Sequence, residues 1–217
     1  MKKWLHQYKH AWVFLYGLIY MPWFLWLEQH VTEEYHVIHS ALDDYIPFQE
    51  IFIIPYMLWF AYIAVTVGYF FFKDKAGFYR LVTFLFTGMT IFLIICTFFP
   101  NGQNLRPVTF ARDNIFVDMV KMLYRTDTPT NVLPSIHVFN SIGAAIAIGH
   151  SETLSRNRLI RFGSVILSSL IILSTMFLKQ HSVIDVVSAF LMASVMYSIV
   201  YVPHTRKESL FSRQIAS

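Results

Sequence analysis

Charge is scarce in this chain: only 14% of its 217 residues are Asp, Glu, Lys or Arg, against about 25% in an ordinary soluble domain. With 56% hydrophobic residues and a mean hydropathy of +0.50, there is too little polar surface to cover a water-exposed globule. Cysteine is nearly missing. The single Cys96 excludes an intrachain disulfide, and its place in an apolar run predicts a packing role, not a reactive thiol. No Gly/Ser-rich or Pro-rich linker and no repeat divides the chain, so residues 1–217 read as one domain. The HExxH pattern and Cys/His zinc spacings are also lacking, so neither metal nor cofactor is expected.

What is present is apolar length. A bilayer-spanning helix needs roughly 17–25 apolar residues. Runs of this kind lie at 11–27, 51–72, 81–99, 159–178 and 182–202, with a shorter one at 136–149. These predict an all-α, polytopic membrane protein with a six-helix bundle. The first run follows Lys2, Lys3 and Lys9 as a signal peptide would. It ends, however, in Trp23, Phe24, Leu25 and Trp26 instead of a small-residue cleavage site, so it reads as a retained span kinked at Pro22. The Trp residues 4, 12, 23, 26 and 59 fit interfacial and packing roles. The 136–149 run begins with His137, Asn140 and Ser141, so that end should face protein or a wet cavity. Its Gly143, Ala144, Ala145, Ala147 and Gly149 allow close helix approach and predict a central position.

Loop charge sets the expected orientation. Lys2, Lys3, Lys9, Lys73, Lys75, Arg80, Arg156, Arg158, Arg161, Arg206, Lys207 and Arg213 all fall on one side of a six-helix arrangement. By the positive-inside rule both termini are then cytoplasmic. His6, His10, His150 and His204 fall at the same cytoplasmic ends. The plasma (inner) membrane is the default location, as no retention signal closes the sequence. Because the basic residues are split among four juxtamembrane segments instead of forming one stripe, nucleic acid is not an expected partner.

The outer segments differ in character. Residues 28–50 carry Glu28, Glu33, Glu34, Asp43, Asp44 and Glu50 without Lys or Arg. Val31, Tyr35, Ile38, Leu42 and Tyr45 recur there at spacings of four and three, which predicts an interfacial amphipathic helix. His30, His36 and His39 read as solvated interfacial residues. In the 100–135 loop, after the turn residues Pro100, Asn101, Gly102, Asn104 and Pro107, residues 113–125 predict a short surface helix covering a site. Its apolar face would be Ile115, Met119, Met122 and Leu123.

Three polar clusters stand at the outer ends of apolar runs: Arg106 with Pro107; Pro134, Ser135 and His137; and His181 with Asp185. His181 and Asp185 are four apart and share a helix face. A carboxylate one turn away accepts the Nδ1–H bond and leaves Nε2 free as nucleophile or base. Ser135 fits a helix cap, the first-turn N–H groups suit an anion, and Arg106 offers a planar fork for phosphate oxygens. Together these describe a metal-free phosphoryl-transfer site, although the residues alone do not choose which His attacks.

Pro134-Ser135-Ile136-His137, and His181 followed by Asp185, resemble the second and third signature motifs of the type 2 phosphatidic acid phosphatase superfamily. Arg106-Pro107 looks like the end of its first motif, and order, spacing and six-helix topology also resemble that family. The resemblance implies that His181 attacks phosphorus while Asp185 orients it. It also implies that His137 protonates the leaving alkoxide, and that Ser135 and Arg106 hold phosphate oxygens. Two positions depart from the pattern: Phe99 stands where the family has Lys, and Thr175 where it has Arg. Lys179 is the expected substitute cation, with Lys121, Arg112 and Arg125 as others. The stretch from His181 to Val187 is also similar to the sphingomyelin and inositol phosphorylceramide synthase branch, which moves a phospho-headgroup to an alcohol. A phosphodiester carries less charge than a monoester and needs fewer cations. The expected function is therefore a lipid-phosphate phosphatase. A headgroup phosphotransferase and a catalytically silent lipid-binding relative are its rivals.

Overall fold

A computed structural model describes residues 7–203. The expectations on Lys2, Lys3, Trp4, His6, His204, Arg206, Lys207 and Arg213 lie outside the described residues. The chain is helical almost throughout. A 3-10 segment, Lys9–Tyr16, leads into α1 (Gly17–His30), which continues through Pro22. Then come α2 (Ile53–Lys73), α3 (Lys75–Phe98), α4 (Ile115–Thr126), α5 (Ile136–His150), α6 (Arg158–Phe177) and α7 (Val183–Val200). Five segments among the described residues are long and apolar enough to cross a membrane: Lys9–His30, Glu50–Lys73, Lys75–Phe98, Arg158–Phe177 and Val183–Val200. The sixth, α5, has 15 residues and at about 1.5 Å per residue is shorter than a bilayer core.

α5 is the hub of the bundle and packs against α2, α3, α6 and α7, while α1 lies on α3. Small residues permit this. A Cβ on Gly88 of α3 would sit 2.1 Å from the Phe139 ring, and one on Gly143 of α5 would sit 2.7 Å from the Phe84 ring. The two phenylalanines stack at 4.7 Å between those gaps. α3 starts at Lys75, earlier than the hydropathy suggests, because Asp74 accepts the Gly77 N–H at 2.8 Å and caps it.

The acidic loop departs from the expected helix. After α1 ends at His30, His36–Val37 forms a two-residue parallel pair with Asn101–Gly102. A 3-10 turn, Ala41–Tyr45, follows. Val31 and Ile38 are buried, but Leu42 and Tyr45 point outward, so the periodic residues share no face. The cause is local polar chemistry. Ser40 and Asp43 form a capping box, and Asp43 is buried against the start of α7. The helix expected over 113–125 is present as α4, capped by Asn114 through the Phe116 and Val117 N–H groups. It buries Val117 and Val120 and leaves Ile115, Met119 and Met122 exposed; of the expected face only Leu123 packs inward, beside Val120.

Candidate active site

The site forms where α1 and α3 end and α2, α5 and α7 begin. The turn between α6 and α7 sets its centre. Gln180 and His181 both donate main-chain N–H groups to the Thr175 carbonyl, at 2.9 and 3.0 Å. Lys179 takes a left-handed backbone with φ of 54°, a conformation costing a non-glycine residue of order 1–2 kcal/mol. Its side chain gives a reason for a lysine there: Nζ donates to the Asp43 carbonyl at 2.7 Å. Asp43 in turn accepts from Ser182 Oγ at 2.6 Å, the Val183 N–H at 2.8 Å and the Ser40 N–H at 2.7 Å. A carboxylate at the positive end of α7 thus fixes the residues that follow His181.

His181 Nδ1 lies 3.3 Å from Asp185 Oδ2, and the same oxygen accepts the Ser182 N–H at 2.9 Å. Asp185 therefore has two duties, closing a capping box on α7 and holding the imidazole. With Nδ1–H donating to the carboxylate, Nε2 keeps its lone pair. The His137 ring sits 5.9 Å from the His181 ring. It rests against Tyr56 at 4.7 Å and Trp59 at 4.4 Å. Both histidines line one cavity of about 440 Å³. The cavity reaches the surface of the bundle between α1 and α2, where its wall residues Met21 and Phe60 are both more than half exposed.

The remaining expected residues take other places. Ser135 is fully buried as the N-cap of α5, accepting the Val138 N–H, and its own N–H donates to the Asp185 carbonyl. It ties α5 to α7 but is not on the cavity wall. Arg106 spends its guanidinium on the protein. Nε and Nη2 donate to Gln180 Oε1, Nη1 to the Tyr124 and Asp127 carbonyls, and Nη2 also to the Thr128 carbonyl. Its plane lies over the Tyr124 ring, 4.6 Å from the centroid. Lys179 faces Asp43, and burial lowers its pKa. Phe99 stacks on His36, and Thr175 turns its hydroxyl to the Ile172 carbonyl. Lys121 pairs with Asp118 and Asp113, and Arg112 with Glu50. Among the described residues no Lys or Arg lines the cavity.

Several wall residues were not singled out by the sequence as site residues. Glu28 accepts from Thr128 Oγ1 and from Asn131 Nδ2. Asp127 Oδ2 accepts from Tyr56 OH at 3.4 Å and Gln180 Nε2 at 3.3 Å. Burial pushes the Asp127 carboxyl above its ordinary range, while the Arg106 and His181 charges oppose that rise and Glu28 adds to it. Asn101 holds the wall from behind: its Oδ1 takes the Val132 and Leu133 N–H groups at 2.9 and 2.8 Å. Among the described residues no three His, Cys, Asp or Glu side chains gather as a metal would require. Comparison with known protein families, with characterised proteins and with solved structures gives no match to this chain.

Proposed function

We propose that this chain is a membrane enzyme that cleaves a lipid phosphoester through a phosphohistidine on His181, with six helices crossing the bilayer. The observation that carries the reading is the Asp185-oriented His181 facing His137 across a cavity that opens sideways between apolar helices. His181 Nε2 attacks phosphorus, the P–O bond to the lipid breaks, and His137 gives a proton to the leaving alkoxide. His137 then takes a proton from the second acceptor, which attacks the phosphohistidine and frees His181. Water as acceptor makes the enzyme a lipid phosphatase acting on substrates such as phosphatidic acid, phosphatidylglycerol phosphate or a polyprenyl diphosphate. The lateral opening suits a tail that stays in the bilayer. The described basic residues Lys73, Lys75, Arg156, Arg158 and Arg161 gather at the opposite helix ends. By charge bias that end is cytoplasmic, and the histidines face outward at the plasma membrane.

One observation favours the second reading, transfer of a phospho-headgroup to an alcohol. A phosphomonoester dianion calls for charged donors, yet among the described residues no Lys or Arg lines the cavity and the Arg106 donors are already engaged. A singly charged phosphodiester is served by the neutral donors present. Trp59 Nε1, for example, is buried without a partner among the described residues and belongs to a wall residue. The test is release of free lipid alcohol and phosphate by purified protein from a lipid panel, with and without chelator, and with ceramide or diacylglycerol as acceptor. The reading expects chelator-resistant turnover that His181→Ala abolishes. No turnover with any donor or acceptor would overturn it.

A further inference from the structure

Among the described residues, the wall of the same cavity presents two carboxylates and no Lys or Arg. Glu28 and Asp127 both line it, and neither forms an ion pair with any described residue. Their hydrogen-bond donors are all neutral: Thr128 and Asn131 for Glu28, Tyr56 and Gln180 for Asp127. Two more wall residues, Asn131 and Asn140, are 6% and 3% exposed, and each has a buried side-chain oxygen with no partner among the described residues. Half-buried carboxylates beside buried acceptors are costly to leave without matching charge and N–H donors. Arg106 stands behind this wall and offsets part of the charge, but its donors are spent on Gln180 and on main-chain carbonyls, so the cavity itself presents acceptors without a donor-rich cation.

We propose that Glu28 and Asp127, with Asn131, seat a primary ammonium group on the substrate's phospho-headgroup, so that the preferred donor is a phosphodiester lipid with an amine one short linker away from phosphorus. The position fits. Gln180, which bonds Asp127, is the residue before His181, so the ammonium seat adjoins the nucleophile. A trimethylammonium group carries no N–H for the free oxygens. Among the described residues no third His, Cys, Asp or Glu joins the two carboxylates; a divalent metal completed by phosphate and water is the competing occupant, and chelator separates it from an ammonium. The inference rests on the phosphohistidine reading for its chemistry, but the seat itself is a binding claim. In the covalent step the His181–P bond forms, the P–O bond to diacylglycerol breaks, and the alkoxide takes its proton from His137. The amine leaves unchanged with the phosphoryl group when water or an alcohol displaces His181.

The experiment uses the full chain in lipid nanodiscs with four lipids of identical acyl chains: phosphatidylethanolamine, phosphatidylcholine, phosphatidylglycerol and phosphatidic acid. Diacylglycerol release reports turnover, and lipid retained by the His181→Ala protein in native mass spectrometry reports binding without turnover. The expected result is a preference of tenfold or more for phosphatidylethanolamine in both readouts. Glu28→Gln and Asp127→Asn should each erase that preference while the protein stays monodisperse. Equal or better use of phosphatidic acid, unaltered by either substitution, overturns the ammonium seat and leaves the phosphohistidine reading standing. Preference for phosphatidylcholine also overturns it. Selective retention of phosphatidylethanolamine with no diacylglycerol from any lipid supports the seat and overturns the chemistry. Loss of the preference on adding chelator would assign the carboxylates to a metal and overturn the proposal.

Discussion

Replacing Asp43 by Ala should loosen the start of α7 and with it His181. The carboxylate accepts three hydrogen bonds of 2.6–2.8 Å while almost fully buried. Hydrogen bonds to a charged group contribute about 1.5–3 kcal/mol each, so the three together have a gross value of roughly 5–9 kcal/mol. Water entering the vacated space recovers part of this, and losing a helix cap alone costs about 0.5–2 kcal/mol. A net loss of about 3 kcal/mol is the working figure. A chain of this size shifts its Tm by about 2–4 °C per kcal/mol, which makes the expected fall roughly 6–12 °C. Intrinsic tryptophan fluorescence during heating in detergent measures it. The neighbouring Asp44 is the control, because its side chain is 65% exposed and among the described residues pairs only with His39. An exposed pair of this kind contributes about 0–1 kcal/mol, so Asp44→Ala should melt within about 4 °C of the parent. If Asp43→Ala melts together with Asp44→Ala, the buried carboxylate does not hold α7 and the argument fails.

Three further outcomes follow from the geometry. Arg106→Lys should fail to rescue Arg106→Ala, because one ammonium cannot reach Gln180 and the carbonyls of Tyr124, Asp127 and Thr128 together; limited proteolysis of the 124–128 segment should rise in both, and unchanged protection would contradict this. Gly88→Ala places a methyl group inside the Phe139 ring and should cost about 1–3 kcal/mol, with Phe139→Leu restoring most of the lost Tm; a neutral Gly88→Ala would show that α3 and α5 are not so close. Asp127 carries a raised pKa, chiefly from burial with a lesser contribution from Glu28, against the opposing charges of Arg106 and His181. The folded chain thus holds that proton more tightly than the unfolded chain, and stability falls as pH rises from about 4 toward the raised value. Asp127→Asn should flatten the fall, read as Tm against pH, and two parallel curves would refute it.

Much of the fold could be read from apolar length. The long runs became helices because nothing within them competes with the helical ladder, and the small residues of α5 marked a helix pressed against its neighbours. His181 and Asp185 were legible as a pair from their spacing, but His181 stands before the Ser182 cap, in the turn that leads into α7, and the Asp185 carboxylate reaches back to it instead of sharing a helix face with it. Asp43 was hidden. In the sequence it is one acid among six in a loop, and only the tertiary contact with Ser182 and Val183 separates it from Asp44. The stripe from Val31 to Tyr45 misled because a periodic pattern was read across a segment whose backbone is fixed by Ser40, Asp43 and pairing to Asn101. Arg106 kept its place near the site but not its expected partner, since carbonyls from a loop some twenty residues away claim its donors. Glu28 and Asp127 face one cavity from segments almost a hundred residues apart, a juxtaposition no local motif encodes.

A covalent phosphate on His181 is the intermediate on which the proposed chemistry depends. Protein incubated with a phospholipid labelled with radioactive phosphorus in its headgroup, quenched in alkali and digested, should give one labelled peptide containing His181. Its label should be stable in base and lost in acid, and it should be missing from His181→Ala. Label on a peptide carrying His137, or lipid turnover that persists in His181→Ala, would contradict the account.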